Sequence, residues 1–262
     1  MKFPILAYHN ILPMTQIESI YNKNYVLEDR KFDHQIEYLH DNGYSCIDFT
    51  DIKKCLDSSC RLPAKPVMIT FDDGCLDNYQ IAFPILKKYN LKATFFIVTD
   101  SIGRRGYVTW EQIIEMSTAG MGIYSHTHSH ANLSTLGDSE IREELTMSKE
   151  ILEEKLNKVV DILALPYGRG DNKKVKAIAQ AAGYLFACNS TWGSNNRINR
   201  NTFYLERFPI NINCSMEQFI SFIDLNKTLL LAYKVKKSPV RLTKFLLGDK
   251  TYAKMRSIFL GS

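Results

Sequence analysis

This 262-residue chain lacks several things, and each absence narrows what it can be. No apolar run reaches eighteen residues, so the sequence offers no membrane-spanning helix. Met1-Lys2-Phe3-Pro4 leads straight into an apolar strand, without the apolar core or cleavage site of a secretory leader. Six cysteines, at 46, 55, 60, 75, 188 and 214, form no C-x-x-C pair and no regular framework, which fits thiols in a reducing compartment. No repeat, low-complexity tract or obvious linker divides the chain, and no recognisable nucleic-acid motif accompanies its net charge of +5. No histidine follows His130. The expected location is the cytoplasm, with a peripheral place at the membrane surface also open.

What is present reads as α/β. Short, β-rich apolar runs lie at Val67–Phe71, Ala93–Val98, Met121–Tyr124, Val160–Leu165 and Tyr184–Cys188. Helical patterns fall between them, over Asn78–Tyr89, Thr109–Ala119, Ser139–Leu156 and Lys173–Ala182. Ile141, Leu145, Leu152 and Leu156 share one face of the third, with small Ser148 beside them. Strands alternating with helices predict a mainly parallel sheet, and 262 residues suffice for one barrel domain.

Two stretches carry chemistry. Ile69-Thr70-Phe71-Asp72-Asp73-Gly74 ends an apolar run in two carboxylates, and Ser125-His126-Thr127-His128-Ser129-His130 concentrates half of the six histidines in five residues. Two imidazoles and a carboxylate make an Asp-His-His donor set for a divalent ion, which lowers the pKa of its water toward ~7. The second carboxylate is then available as a proton acceptor. Adjacent residues of an extended segment point to opposite sides, so Asp72 and Asp73 need not share a job. His126 and His130 converge either on a helix face or in a tight loop. Each stretch alone has a plainer reading: Asp-Asp-Gly suits a turn, and the histidine run suits a solvated loop. Their conjunction favours a metal-dependent hydrolase.

Thr70-Phe71-Asp72-Asp73-Gly74, the His126–His130 stretch, Ala82–Tyr89, Ala93–Ile97, Thr109–Ile113 and Leu165-Pro166-Tyr167-Gly168, in this order, resemble the polysaccharide deacetylase (NodB-homology) family across roughly residues 3–215. The resemblance implies an irregular (β/α) barrel of about seven strands. It implies Asp73, His126 and His130 as metal ligands, Asp72 as general base, and the Tyr167 N–H as an oxyanion donor on a loop shaped by Pro166. Zinc is the expected ion, with cobalt, nickel and iron as alternatives. The implied reaction removes an acetyl group from an N-acetylated sugar of a polysaccharide or glycan precursor, a water on the metal attacking the acetamide.

The chain also departs from that family's pattern. Ala164 stands where the third motif usually carries Arg, Tyr124 stands where Gly is usual, and the late histidine that serves as general acid has no counterpart. The N-terminal Tyr8-His9 resembles the exopolysaccharide-deacetylase subgroup, which puts His9 forward as general acid. Arg207, in Leu205–Ile210, resembles that subgroup's late Arg-x-Pro-like segment; it could pair with Asp72 and hold its pKa low, and a solvated or purely structural Arg is the plainer reading. Two rivals remain: a metal-dependent amidase on a non-sugar small molecule, and a non-catalytic carbohydrate-binding relative.

Residues 1–226 are expected to form the catalytic barrel, and 227–262 a basic amphipathic extension. The extension carries nine Lys or Arg against Asp249 alone. Its apolar residues interleave with this charge, so contact with an anionic membrane surface is an expectation for it, against packing on the barrel. The nearest thing to a boundary is Cys214–Lys227.

Overall fold

The computed structural model describes residues 2–18, 20, 23–57, 61–170, 172–196, 198–199, 202–226 and 228. The stretch 229–262 lies outside them, and with it the extension's amphipathic reading. Among the described residues no helix is long and apolar enough to cross a membrane.

Among the described residues nine strands make the main sheet: β1 (Ile5–Tyr8), β2 (Ser45–Cys46), β3 (Pro66–Phe71), β4 (Thr94–Ile97), β5 (Gly122–Ser125), β6 (Ile162–Ala164), β7 (Phe186–Cys188), β8 (Tyr204–Leu205) and β9 (Phe208–Pro209). Their order is β8-β7-β6-β5-β4-β3-β1-β9, with β2 paired beside the start of β3, and every pairing is parallel. The two edge strands are consecutive in the chain, separated only by Glu206 and Arg207. Residues 204–209 therefore act as one interrupted strand, pairing with β7 by their first half and with β1 by their second. Counted so, the path has seven strands and curls until its ends meet.

Buried on both faces, the strands are apolar nearly throughout, as a parallel sheet requires. Phe71 and Phe95 stack at 4.8 Å in the middle of the core, with Tyr8 and Phe32 against Phe71. The helices α1 (Asp29–Asp41), α2 (Phe49–Asp57), α3 (Phe83–Lys88), α4 (Trp110–Thr118), α5 (Asp138–Leu156), α6 (Lys173–Ala181) and α7 (Met216–Ile223) complete the fold. α4 starts at a capping box, Thr109 Oγ1 accepting from Gln112 N while Gln112 Oε1 accepts from Thr109 N. α5 buries Ile141, Leu145, Ser148 and Leu152, and the small Ser148 lets its hydroxyl meet that of Ser125 at 2.8 Å.

The pattern over Asn78–Tyr89 is not one α-helix. Residues Asn78–Ala82 form a π-helical turn that runs into α3. Within Cys214–Asn226, α7 spans Met216–Ile223, and Phe222 stacks on Phe208 at 4.6 Å in the core.

Candidate active site

Five strands deliver the candidate functional side chains from their C-terminal ends, where parallel barrels build their sites. His9 follows β1, Asp72 and Asp73 follow β3, His126 follows β5, Pro166 and Tyr167 follow β6, and Arg207 follows β8.

Asp73 and the two imidazoles form one cluster. Asp73 Oδ1 lies 3.3 Å from His126 Nε2 and 3.3 Å from His130 Nε2, and one donor atom from each residue falls within 4.8 Å of the others. His126 is buried, and its Nδ1 meets the Ala164 carbonyl at 2.9 Å. That contact places the proton on Nδ1 and leaves the Nε2 lone pair facing the cluster. A carboxylate oxygen and two imidazole nitrogens converging this closely fit a divalent cation. Burial alone would raise Asp73, but with no cation between them protonated imidazoles of His126 and His130 donate to it and hold its carboxyl well below the usual range.

A loop, not a helix, brings His126 and His130 together. Thr127 (φ 66°) and His130 (φ 62°) are in the left-handed region, as is Asp73 (φ 75°), each at a cost of about 1–3 kcal/mol for a non-glycine residue. Side chains hold the loop in place. Ser125 Oγ accepts from Thr127 N, Thr127 Oγ1 accepts from His130 N, and Glu144 accepts from the N–H groups of His128 and Ser129. His128 is turned out of the cluster, its Nδ1 meeting Thr99 Oγ1 at 2.9 Å.

Asp72 sits on the other side. The Arg207 guanidinium forks onto it, with both nitrogen–oxygen distances 2.7 Å. Arg207 Nε donates to the Asn189 carbonyl, and NH1 also approaches Thr70 Oγ1 at 3.4 Å. The two side chains are 1% and 4% exposed. Burial would raise Asp72, but the Arg207 charge outweighs it and keeps the carboxyl low and ionised. The fork occupies one lone pair on each oxygen and leaves the others available.

His9 Nε2 is 3.8 Å from Asp72 Oδ2, and its ring lies 4.9 Å from that of Tyr25. Burial lowers its pKa, while Asp72 and Asp73 oppose the shift. Pro166 is buried and Tyr167 is exposed, its ring 4.8 Å from His130. Tyr167 is also left-handed (φ 58°), and Gly168 (φ 62°) follows with room for no Cβ, which would meet the Ser190 side chain at 2.3 Å.

All eight residues singled out from the sequence therefore surround one mouth of the barrel. Sequence reasoning missed the supports: Glu144 under the histidine loop, Thr70 and Asn189 around Arg207, and Asp77 and Asn78 behind His9. A polar residue at a buried helical or loop position carries no chemical signature of its own.

A family model described as Polysaccharide deacetylase matches residues 60–187. YxkH of Bacillus subtilis, a protein assigned to the polysaccharide deacetylases, is 32% identical over 226 residues, 86% of this chain and 77% of that one. The chain belongs to the polysaccharide deacetylase family. Among solved structures, the deacetylase PplD of Streptococcus pyogenes in complex with acetate superposes with a TM-score of 0.78 at 30% identity, covering 85% of this chain and 98% of that one. A poly-beta-1,6-N-acetyl-D-glucosamine N-deacetylase of Staphylococcus aureus is 30% identical over 176 residues, 61% of this chain and 59% of that one.

Proposed function

We propose that this protein is a metal-dependent carbohydrate N-deacetylase that releases acetate from an N-acetylated sugar of a polysaccharide or glycan precursor. The observation that carries the reading is the division of the aspartate pair: Asp73 joins two imidazoles in a metal-competent cluster, while Asp72 stays outside it, ionised and alongside. Similarity to PplD, solved with acetate, supports an acetyl group as the piece removed. Similarity to a poly-beta-1,6-N-acetyl-D-glucosamine N-deacetylase supports an amino sugar as what is left.

In this reading Asp73, His126 and His130 hold the ion. A bound divalent ion supplies an activated water and polarises the carbonyl. Zinc suits the donor set best, and cobalt, nickel and iron fit it as well. Asp72 takes the proton from water, and Arg207 keeps it ionised for that step. The Tyr167 N–H, on the turn set by Pro166, donates to the oxygen that gains charge. His9 gives a proton to the departing amine. Burial lowers its pKa, so once protonated it gives the proton up easily, and Asp72, 3.8 Å away, is the group that can hand it the proton taken from water.

The test is acetate release from N-acetylated sugars presented as polymer, lipid-linked and nucleotide-linked forms, with metal content measured in parallel. Asp72→Asn should lose about 10²–10⁴ of turnover while retaining its metal, and His126→Ala should lose the metal. A metal-loaded protein that releases no acetate from sugars but cleaves small non-sugar amides would sink the carbohydrate reading. Failure to bind any divalent ion would point to a non-catalytic relative.

A further inference from the structure

We propose that Asp77 and Asn78 are positioning residues for His9, holding the backbone of residues 9–11 so that the imidazole faces Asp72. The inference rests on the reading of His9 as proton donor. His9 lies between β1 and the short strand Asn10–Leu12, on backbone outside either strand. Among the described residues no hydrogen bond reaches its ring nitrogens, so the ring's direction is set by the backbone that carries it and by Tyr25 alongside.

That backbone is tied from across the sequence. Asn78 Nδ2 donates to the His9 carbonyl at 2.8 Å, and Asp77 Oδ1 accepts from Ile11 N at 2.8 Å. Asp77 Oδ2 accepts from Asn10 Nδ2 at 2.8 Å, and Asn78 Nδ2 reaches Asp77 Oδ1 at 3.0 Å. One carboxylate and one amide thus grip three consecutive residues. Burial pushes the Asp77 carboxyl up, and the Ile11, Asn10 and Asn78 donors pull it back.

Two features argue that this network is more than packing. Asn78 is fully buried, and because its nitrogen serves two acceptors its amide can face only one way, which leaves Oδ1 with no partner. A purely structural position would do better with an apolar residue, and a stranded buried acceptor calls for a reason. Asn78 also opens the π-helical turn, a rare local form that recurs at functional sites. Together with the turn after Asp73, it carries Asn78 back under β1, so the strand that presents the aspartates also aims the histidine.

The experiment is a double-mutant cycle on the metal-loaded full chain, with His9→Ala, Asn78→Ala and both together. Two substrates are used: the N-acetylated glycan of the panel that releases most acetate, and para-nitrophenyl acetate, whose leaving group departs as an anion and needs no proton. Asn78→Ala should lower kcat on the amide roughly tenfold or more with KM changed less than about twofold, and should lower kcat on the aryl ester far less. The double variant should be no slower than His9→Ala alone. Asp77→Asn should recover part of the loss seen in Asp77→Ala, because Asn10 can turn its amide to accept. If Asn78→Ala does not fold, Asn10→Ala, a half-buried change in the same network, carries the same comparison. Losses that multiply in the double variant, or that fall equally on amide and ester, would overturn the positioning role and leave the deacetylase reading intact. An unaltered amide kcat in His9→Ala would remove the proton donor and this inference with it.

Discussion

Asp72 and Asp73 are neighbours in the chain, yet they belong to two differently built halves of the site. The half around Asp73 is local and partly open: His126 and His130 come from one loop, and Asp73 and His130 are 27% and 29% exposed although His126 is buried. The half around Asp72 is dispersed and dry: His9, Asp72 and Arg207 come from three distant segments, and the ion pair at its centre is almost wholly buried. On the roles proposed, the difference follows from the tasks. A metal site needs donors on an accessible surface. A buried carboxylate that must stay ionised needs a fixed opposite charge, and guanidinium supplies one in bidentate geometry.

The strongest way to break this comparison is Arg207→Ala. It leaves Asp72 buried without a counter-charge, and the expected loss is about 3–5 kcal/mol of stability, read as a fall in Tm of metal-free protein. Asp73→Ala in metal-free protein removes a partly exposed group and should lower Tm much less, although it removes metal binding. Asp72→Leu combined with Arg207→Met should regain most of the stability and none of the activity, since well-packed apolar pairs replace buried ion pairs at little cost. A Tm for Arg207→Ala close to that of Asp73→Ala would show that the two halves are not energetically distinct.

The same division explains what was legible in the sequence. The metal half is written in two short motifs, because neighbouring loop residues can converge on one ion, and the strands ending in them are plain apolar runs. The dry half could be approached only through resemblance. Nothing in the residues around Arg207 says that it reaches Asp72, since their meeting depends on residues 204–209 bridging β7 and β1. That closure also accounts for Ala164. With the buried cation supplied by the last strand, the third motif needs none, and the Ala164 carbonyl serves to orient His126 instead. Asp77 and Asn78 carry no mark of this role for a related reason: Asn78 opens a stretch that reads as an ordinary helix, and Asp77 stands just ahead of it, outside any motif.

Acid titration sharpens the comparison further. Asp72 has a folded pKa below its unfolded value, ~3.9, so its stabilisation is fully present above that value and is lost as pH falls through the folded one. In Arg207→Ala the sign should reverse. Burial without the guanidinium raises the carboxyl, so protonation relieves it, and stability should hold steady or increase as pH falls toward ~4. Denaturant melts of metal-free parent and variant between neutral and acid pH read this directly. Parallel acid limbs would mean that Asp72 does not titrate as the buried pair requires.

The smallest effect expected is a change in thiol labelling. Cys188 lies on β7, fully buried; burial pushes its thiol up to about 12, with Arg207 pulling it down and Asp72 pushing it up. Cys46, on β2 far from the pair, is also pushed up to about 12 by burial. Cys188 should not react in the closed state near neutral pH, so its labelling reports opening, while Cys46, half-buried, gives the rate of a thiol away from the pair. If the Asp72–Arg207 pair locks the place where the barrel's ends meet, Arg207→Ala should speed labelling of Cys188, on the strand that pairs with β8, more than that of Cys46. Equal acceleration of both thiols would mean that the variant loosens the whole barrel, and that the dry half is a charge buried in the fold and not a local clasp on it.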